Sequence, residues 1–457
     1  MKKFSDKKSN AAEQSESPQG QLVAPEDFDP VEYLLLNEDV GLSQVNPTEH
    51  FVSLGRQEGR LYKAGNFLTG DKPFQPGLKT CLLITHDLAI SGSPMLALNL
   101  AENFNGKVNL IILSFTNSGR LLKAFSKNSF ELFLFDTNPK NEGIADLVIA
   151  RITKKFKVDF AIANSSVTRR VLAPLKRAGI PAISLIHEFA SAAPKGAVIE
   201  SILNSQATIF SAKATYEDAR DFLKLDSDSK FPIVYQGINS HEEIDRDLSS
   251  VIAEQERIDN HFDSKKFNVV GIGSILLTKG VDLFISVSQE LERRMPGKFQ
   301  FTWVGPLSEL ENSDFGFFLK DASKRSVYLQ NFSFFEVTPE INFLFEKIDC
   351  FALTSRLDTM ASVAIEAMAS AKPIIAFQGT GGIPDLITDF GFKEQCVAEY
   401  LNVTEFAEKI QKLESDPHFK AEVGTALRNL AMSTFDSNKY ASKILAICDE
   451  ATKQFKT

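Results

Sequence analysis

The sequence predicts an α/β protein in which a small helical module precedes two doubly wound units that face a cleft. Two observations predict this fold. From Leu78 onward, short apolar runs alternate with amphipathic helical stretches, which is typical of parallel sheets covered by helices on both faces. The charged segment 239–266 interrupts this alternation once, and the alternation then restarts, so two such units follow each other along the chain.

Composition excludes several other classes of protein. The 457 residues are 43% apolar and 24% charged, an ordinary globular composition. No run approaches the roughly 20 apolar residues of a membrane span, and no apolar secretory core follows Met1. The formal net charge of −9 makes a broadly basic surface, and therefore a nucleic-acid partner, unexpected. The four scattered cysteines indicate buried thiols in a reducing compartment, most simply the cytoplasm.

The amino-terminal part of the chain divides into two segments. Residues 1–26 are rich in Lys, Ser, Gln, Glu and Pro and are expected to be disordered, because they cannot bury enough apolar surface. Residues 27–70 are expected to form the helical module. Apolar residues recur at helical spacing after Pro30, and a second set follows Pro47 and stops at Gly55. This module is too short for a core of its own and should pack on a larger unit.

Two α/β units follow, and a carboxy-terminal helix is predicted over 438–457. The first unit spans 77–240, with predicted strands at 80–85, 108–115, 131–135, 158–163, 181–186, 207–211 and 231–235. Its predicted helices include 94–104, 144–156 and 167–178. The second unit spans 241–437, with predicted strands at 268–273, 299–304, 326–330, 349–354 and 373–377.

Open parallel sheets bind ligands at the carboxyl ends of their strands, so the loops there are the places to search. After strand 268–273, a glycine-rich turn leads through Lys279 into an amphipathic helix. Leu276 occupies the third glycine position of a dinucleotide fingerprint, which argues against NAD. Backbone N–H groups at a helix start together with a lysine suit a diphosphate. Taken alone, this loop is more typical of a plain strand–turn–helix corner.

A lone carboxylate marks the loop and helix after strand 349–354. Glu366 lies within a run of Val, Ala, Ile and Met, where a buried charge needs partners such as the two hydroxyls of a ribose. The alternative, a glutamate on the exposed face of an apolar helix, is about as typical of the pattern. Asp358, earlier in the loop, could reach the same cleft.

Three further loops contribute candidates. Three glycines follow strand 373–377 and permit either close approach to a ligand or a tight turn. In the first unit, Gly92 and Ser93 precede a helix whose N–H groups face the cleft. His187 ends a strand beside the cleft, although a lone histidine is more often structural. The remaining histidines lack metal-ligand spacing, so no metal site is predicted.

Together these loops resemble the retaining family-four (group 1) glycosyltransferases of the GT-B fold, in which two Rossmann-like domains face a cleft. The resemblance covers residues from about 78 to the carboxyl terminus. Its most specific part is 355–387, where the acidic residues Asp358 and Glu366 are separated by seven others, Glu366 begins Glu-Ala-Met, and Gly-Gly-x-Pro-acid follows later. Segment 271–284 resembles the family's diphosphate loop. Segment 28–62 resembles a short module found ahead of bacterial glycosyltransferases.

The resemblance implies a nucleotide-sugar donor bound mainly by the second unit, with the first unit on the acceptor side. It assigns the ribose to Glu366, the diphosphate to Lys279 and the donor-sugar hydroxyls to Asp358. The other implied donor contacts are the backbone groups of Thr359, Met360 and Ala361, the helix start at Gly92 and Ser93, and His187. It implies transfer with retention to a glycan or lipid-linked acceptor, no bound metal or other cofactor, and a bacterial polysaccharide setting. Peripheral contact with a membrane or with other glycan-assembly proteins fits that setting.

Two departures from the family pattern keep a second hypothesis open. Asp358 stands where the family usually has Glu, and Thr278 stands where it usually has Arg before the lysine. Loss of that arginine removes a charge-assisted phosphate contact of about 1.5–3 kcal/mol, unless a residue such as Arg356 replaces it. The alternative function is therefore a catalytically weakened homologue that acts as a binding or scaffold subunit. A phosphorylase or epimerase is a weaker third hypothesis, since no pyridoxal-phosphate lysine site is evident.

Overall fold

The computed structural model describes residues 23–136, 142–226, 231–238 and 248–455. Of the segment predicted to be disordered, residues 1–22 lie outside this described part. Ala24, in contrast, packs against the aromatic cluster of the helical module. None of the helices that the structure describes is both long and apolar enough to cross a membrane.

The first unit contains a seven-stranded sheet in the order β1-β4-β3-β2-β5-β6-β7, parallel except for the antiparallel edge strand β1. Its strands are β1 Gly65–Thr69, β2 Thr80–Thr85, β3 Asn109–Ser114, β4 Glu131–Phe135, β5 Phe160–Asn164, β6 Ala182–Ile186 and β7 Ala207–Phe210. Every residue of β2 to β6 is buried, which explains why these strands read as continuous apolar runs.

In the first unit, one strand was missed and one strand prediction was wrong. Strand β1 was missed because it is a short, largely solvent-facing edge strand that begins with Gly65 and Asn66, two residues with low strand propensity. Segment 231–235 is not a strand but makes a single bridge, between Ile233 and Phe210.

The second unit contains a six-stranded, fully parallel sheet in the order β10-β9-β8-β11-β12-β13. Its strands are β8 Phe267–Ile272, β9 Phe299–Val304, β10 Phe332–Phe335, β11 Cys350–Leu353, β12 Ile374–Phe377 and β13 Val397–Ala398. The strand predicted at 326–330 was wrong, because exposed Val327 and Tyr328 belong to a turn, and pairing with β9 begins only at Phe332. The two-residue strand β13 is too short to leave a sequence pattern.

Helices cover both sheets. Those of the amino-terminal module and first unit are α1 Pro30–Leu36, α2 Glu38–Leu42, α3 Pro47–His50, α4 Gly92–Asn103, α5 Leu122–Lys127, α6 Glu142–Lys155, α7 Leu172–Arg177, α8 Ala197–Asn204 and α9 Lys213–Leu223. A π-helical turn, Phe51–Gly55, continues α3, and a 3₁₀ segment, Ser166–Val171, precedes α7.

The helices of the second unit begin inside the charged segment that was predicted as a surface connection. They are α10 Leu248–His261, α11 Val281–Arg294, α12 Leu307–Glu311, α13 Asp314–Arg325, α14 Ile341–Lys347, α15 Ser362–Ala369, α16 Gly382–Asp389, α17 Lys393–Cys396, α18 Val403–Ser415, α19 Pro417–Thr434 and α20 Ser437–Phe455. Helix α20 returns to the first unit, where Tyr440, Ile444 and Cys448 pack into its core.

The two units are tied together where the chain crosses between them. The N–H of Ile238, on the outgoing crossing, donates to the carbonyl of Phe435 on the return crossing at 2.9 Å. The amide of Asn99 on α4 donates to the carbonyl of Ile238 at 2.7 Å and to the hydroxyl of Ser437 at 3.1 Å. One buried side chain of the first unit therefore holds both crossings.

The helical module packs on the first unit, as its small size predicts. Glu32 on α1 is fully buried and pairs with Arg151 on α6. One oxygen of Glu32 also accepts a bond of 2.6 Å from the N–H of Ala64, at the start of β1. The carboxylate thus joins the module to both a helix and the sheet edge of the first unit.

We expect Glu32→Ala to lower the free energy of unfolding by about 1–3 kcal/mol, because it leaves the N–H of Ala64 and the guanidinium of Arg151 without their shared acceptor. Urea denaturation followed by circular dichroism measures this change, with exposed Glu26→Ala as the control. Equal stability of the two variants would show that Glu32 does not anchor the module.

Candidate active site

A cavity of about 500 Å³ lies between the carboxyl ends of the two sheets. The segments that follow β2, β6 and β7 form its wall in the first unit, and those that follow β8, β10 and β11 form its wall in the second. All nine residues that the resemblance assigns to the donor line it, namely Gly92, Ser93, His187, Lys279, Asp358, Thr359, Met360, Ala361 and Glu366, whereas the three glycines after strand 373–377 do not. The structure therefore brings residues separated by up to 274 positions along the chain (366 − 92) to one place.

The charged centre of the cavity wall is an ion pair. Lys279, in the 3₁₀ turn after β8, places its Nζ 2.7 Å from Oδ2 of Asp358. The same oxygen accepts a bond of 3.2 Å from the hydroxyl of Ser355. Only 12% of the Asp358 side chain is exposed, whereas 31% of the Lys279 side chain is, so the ammonium is the more accessible partner. The cavity wall thus exposes the ammonium of Lys279, whose charge is neutralised by the more buried carboxylate of Asp358.

Two glycines allow the loops around this pair to touch. Gly280 has a φ of +67°, and a Cβ there would lie 1.9 Å from the carbonyl oxygen of Thr354. Gly381 has a φ of +150°, and a Cβ there would lie 1.5 Å from the carbonyl oxygen of Asp358. The glycines after β12 therefore serve a close contact between two loops, which places the backbone of Asp358 at the cavity.

The start of helix α15 supplies the remaining second-unit residues. Met360 and Ala361 are buried just before the helix, and Glu366, one turn in, is half-buried against the cavity. Gln236, a buried residue between the two units, donates from its amide to the hydroxyl of Ser362 at 2.9 Å. Sequence reasoning missed Gln236, although it directly follows segment 231–235, which was predicted as a strand.

The first unit contributes a helix start and a histidine. Helix α4 begins at Gly92 after an extended Ser91, so its first N–H groups lie at the cavity. His187 directly follows β6, and its Nε2 lies 2.9 Å from Oδ1 of Asn164, at the end of β5. The carboxylate of the neighbouring Glu188 accepts from the N–H of His187 at 3.1 Å. Asn164 was missed, although the strand-end criterion that found His187 also applies to it.

Burial sets the protonation state of this histidine. It lowers the pKa of His187 below the usual 6.5, and the charge of Glu188 opposes that shift. The imidazole is therefore neutral near pH 7. A neutral imidazole can both donate and accept a hydrogen bond.

The structure shows whether Arg356 can replace the arginine that is missing at Thr278. Arg356 forms a two-bond ion pair with Asp282 at 2.7 and 2.8 Å, and also donates to the carbonyl of Leu277. It is not among the residues that line the cavity. The suggestion that Arg356 replaces the arginine missing at Thr278 therefore lacks support, which leaves Lys279 as the cationic side chain of the described cavity wall.

The site has no evident metal-binding arrangement. Within the described ranges, no group of three or more His, Cys, Asp or Glu side chains is placed so that it could hold a metal ion. The polar groups that line the cavity are instead backbone N–H groups, hydroxyls, the ammonium of Lys279, the imidazole of His187, the amide of Gln236 and the three carboxylates of Glu188, Asp358 and Glu366. The carboxylates suit a ligand rich in hydroxyls, and the ammonium and the N–H groups suit a negatively charged part of that ligand.

Comparison with known protein families supports this description. Residues 253–429 match the family model of the group 1 glycosyl transferases. An uncharacterized glycosyltransferase of Haemophilus influenzae is 26% identical over 162 residues, which are 35% of this chain and 43% of that protein. The matched region thus spans less than half the length of this curated relative.

Solved structures resemble the chain over both sheets. A glycosyltransferase from Rickettsia africae has a TM-score of 0.67 at 18% identity, covering 82% of this chain and 99% of its own. HepE of Anabaena, in complex with UDP and glucose, has a TM-score of 0.65 at 16% identity, covering 81% and 99%. Sucrose-phosphate synthase from Thermosynechococcus elongatus has a TM-score of 0.63 at 14% identity, covering 81% and 98%.

These findings identify the fold of the chain and the family that its second unit resembles. The fold is GT-B, as the sequence predicted, and the resemblance to group 1 glycosyltransferases is confirmed by the family match in the second unit. That match includes Lys279, Asp358 and Glu366.

The lowered pKa of His187 predicts a pH dependence of stability. In the unfolded chain His187 takes up a proton near pH 6.5, whereas in the folded chain it does so only at lower pH. Its contribution to the free energy of unfolding is therefore complete above pH 6.5 and is lost as the pH falls below that value. We expect the free energy of unfolding of His187→Gln to fall less on acidification than that of the wild type. Urea midpoints above and below pH 6.5 measure it, with exposed His418→Gln as the control. An unchanged acid dependence in His187→Gln would contradict this account.

Proposed function

We propose that this chain is a retaining glycosyltransferase that transfers a sugar from a nucleotide-sugar donor to a glycan or lipid-linked acceptor. The single observation that carries the proposal is that all nine residues implied by the resemblance line one cavity. Solved structures of similar fold were obtained with UDP and with UDP-glucose, which supports a nucleotide sugar as the donor. The biological setting that we propose is the synthesis of bacterial polysaccharide or cell-surface glycan.

The proposed donor pose follows from charge and exposure. The diphosphate lies beside the accessible ammonium of Lys279 and the first N–H groups of helix α4, at Gly92 and Ser93. The ribose hydroxyls are held by the carboxylate of Glu366. The donor sugar lies between Asp358 and His187, where one carboxylate and one neutral imidazole bind its hydroxyls.

In the proposed reaction, an acceptor hydroxyl attacks the anomeric carbon on the face from which the nucleoside diphosphate leaves. The carbon–oxygen bond to the diphosphate breaks, and the departing oxygen takes up the proton that the acceptor hydroxyl loses. Lys279 and the helix start stabilise the negative charge that develops on the leaving group. The ammonium of Lys279 and the N–H groups of the helix start therefore take the role for which a metal ion would otherwise be needed.

The ion pair takes part in donor binding as a unit. The ammonium of Lys279 has three N–H donors, of which one bonds to Asp358, so another can donate to the phosphates while Asp358 accepts from the sugar. The hydroxyl of Ser355 donates to Asp358 from the other side. Binding of diphosphate and binding of sugar are thus coupled through one pair of side chains.

The compartment that we propose is the cytoplasm. The four cysteines are free and buried, which fits a reducing cytoplasm. There a glycan or lipid-linked acceptor would be met at the membrane surface.

A second candidate function is favoured by one specific observation. Thr278 removes a cation from the diphosphate loop, and Asp282 holds Arg356 away from the cavity. A chain with a single cationic side chain at the cavity would bind a nucleotide weakly and turn it over slowly. In that case it would act as a binding or scaffold subunit of a glycosyltransferase complex.

We expect calorimetric titration with UDP, GDP, ADP and CDP to detect binding of one nucleotide, and Glu366→Ala to weaken that binding by roughly ten- to a hundred-fold. The reason is the loss of hydrogen bonds to a charged acceptor, worth about 1.5–3 kcal/mol. Titration in EDTA tests metal independence at the same time. Exposed Glu422→Ala is the matched control.

Turnover then separates the two candidate functions. With the matching sugar nucleotide, hydrolysis or transfer that is lost in Glu366→Ala supports the enzyme, and the anomeric configuration of the product tests retention. Binding without turnover supports the scaffold. Transfer that Glu366→Ala leaves unchanged would contradict the proposed donor site.

A further inference from the structure

Asn164 joins two elements of the cavity wall without lining the cavity itself. It is fully buried at the carboxyl end of β5. Its Nδ2 donates to the carbonyl oxygen of Ser93 at 2.7 Å and to the hydroxyl of Ser93 at 2.9 Å. Its Oδ1 lies 2.9 Å from Nε2 of His187. A single amide therefore spans the helix start and the histidine that the proposed function assigns to the donor.

The bond to Ser93 fixes the orientation of this amide. A carbonyl oxygen can only accept a hydrogen bond, so the group of Asn164 that faces it must be the NH₂. The oxygen of the amide must then face His187. Because that oxygen can only accept, Nε2 of His187 must carry a hydrogen.

This chain of bonds selects one form of the histidine. When the imidazole is neutral, a hydrogen on Nε2 leaves a lone pair on Nδ1. Nδ1 of His187 is buried and has no hydrogen-bond partner among the described residues. The ring therefore keeps an unused acceptor, a state that a doubly protonated imidazolium would not have.

The surrounding charges act on the ring from two sides. Glu188, the next residue, favours a proton on the ring, but its carboxylate is engaged by the hydroxyl of Ser165 at 2.5 Å and by the N–H of Ser166 at 3.2 Å. Across the cavity wall lie Lys279, Asp358 and Glu366. Burial outweighs Glu188 and lowers the pKa of His187, in agreement with a neutral ring.

We propose that Asn164 is a positioning residue, which holds His187 as the neutral tautomer with hydrogen on Nε2 and locks it in register with the helix start at Ser93. Its contribution to donor binding rests on the proposed function. The tautomer itself does not, because it follows from bonds within the protein. The consequence is that Asn164 aligns the helix start at Ser93, which contacts the diphosphate in the proposed pose, with His187, which contacts the sugar.

Nitrogen-15 NMR of the histidine-labelled, ligand-free protein tests the tautomer directly. We expect the signal of His187, assigned with His187→Gln, to show a protonated Nε2 and a bare Nδ1 near pH 7. A hydrogen on Nδ1, or an imidazolium, would overturn the proposal. The measurement needs no donor, so its failure is distinct from failure of the proposed function.

Asn164→Asp tests the role of the amide. Aspartate cannot donate to the carbonyl of Ser93, and its negative charge favours an imidazolium at His187, so we expect His187 to titrate at higher pH than in the wild type. If the donor is turned over, kcat/KM should fall by about a hundred-fold because the two contacts lose their alignment, and its pH profile should shift with the histidine.

Asn128→Asp is the matched control, since Asn128 is a buried asparagine that also donates to a backbone carbonyl, that of Ala124. It should leave the titration of His187 unchanged. If Asn164→Asp does not fold, Asn164→Ala replaces it, and a mixture of tautomers is then expected. A folded Asn164 variant in which His187 keeps the wild-type tautomer and titration would overturn the proposal.

Discussion

The two-sided cavity depends on the hydrogen bonds at the place where the chain crosses twice between the two sheets. The outgoing and return crossings bond to each other through Ile238 and Phe435, and Asn99 bonds to both crossings from the first unit. Neither sheet alone forms a closed site, because each contributes one wall of the cavity. Buried hydrogen bonds at the crossing, together with the packing of Ala212 in the core of the second unit, therefore hold the two walls together.

Within the cavity the protein balances its own charges before any ligand arrives. The ammonium of Lys279 is paired with Asp358, and the imidazole of His187 is kept neutral by burial. A buried charge without a partner would cost several kcal/mol, so the pairing stabilises chiefly the carboxylate of Asp358, which is the more buried of the two groups. The same pairing gives the proposed donor two contacts that change together. Since Arg356 is committed to Asp282, the balance depends on a single cationic side chain.

Much of this fold follows from the sequence, and particular residues show why the remainder does not. Strand β2 and strand β9 were predicted with their observed bounds because buried parallel strands are continuously apolar. Lys279, Asp358 and Glu366 were found because the loops after parallel strands share one edge. The pairing of Lys279 with Asp358, the bond from Asn164 to His187 and the position of Gln236 are contacts between distant segments. No local pattern encodes such contacts. The edge strand that begins at Gly65 was missed because it is largely exposed and therefore lacks a continuous apolar run.

The most direct test of the central claim is a crystal structure with a nucleoside diphosphate, UDP first, at saturating concentration. The account predicts the nucleotide in the cavity between the sheets, with its ribose hydroxyls on the carboxylate of Glu366 and a phosphate oxygen within hydrogen-bond distance of Nζ of Lys279. A nucleotide bound elsewhere, or an empty cavity in which Lys279 still pairs with Asp358, would contradict it.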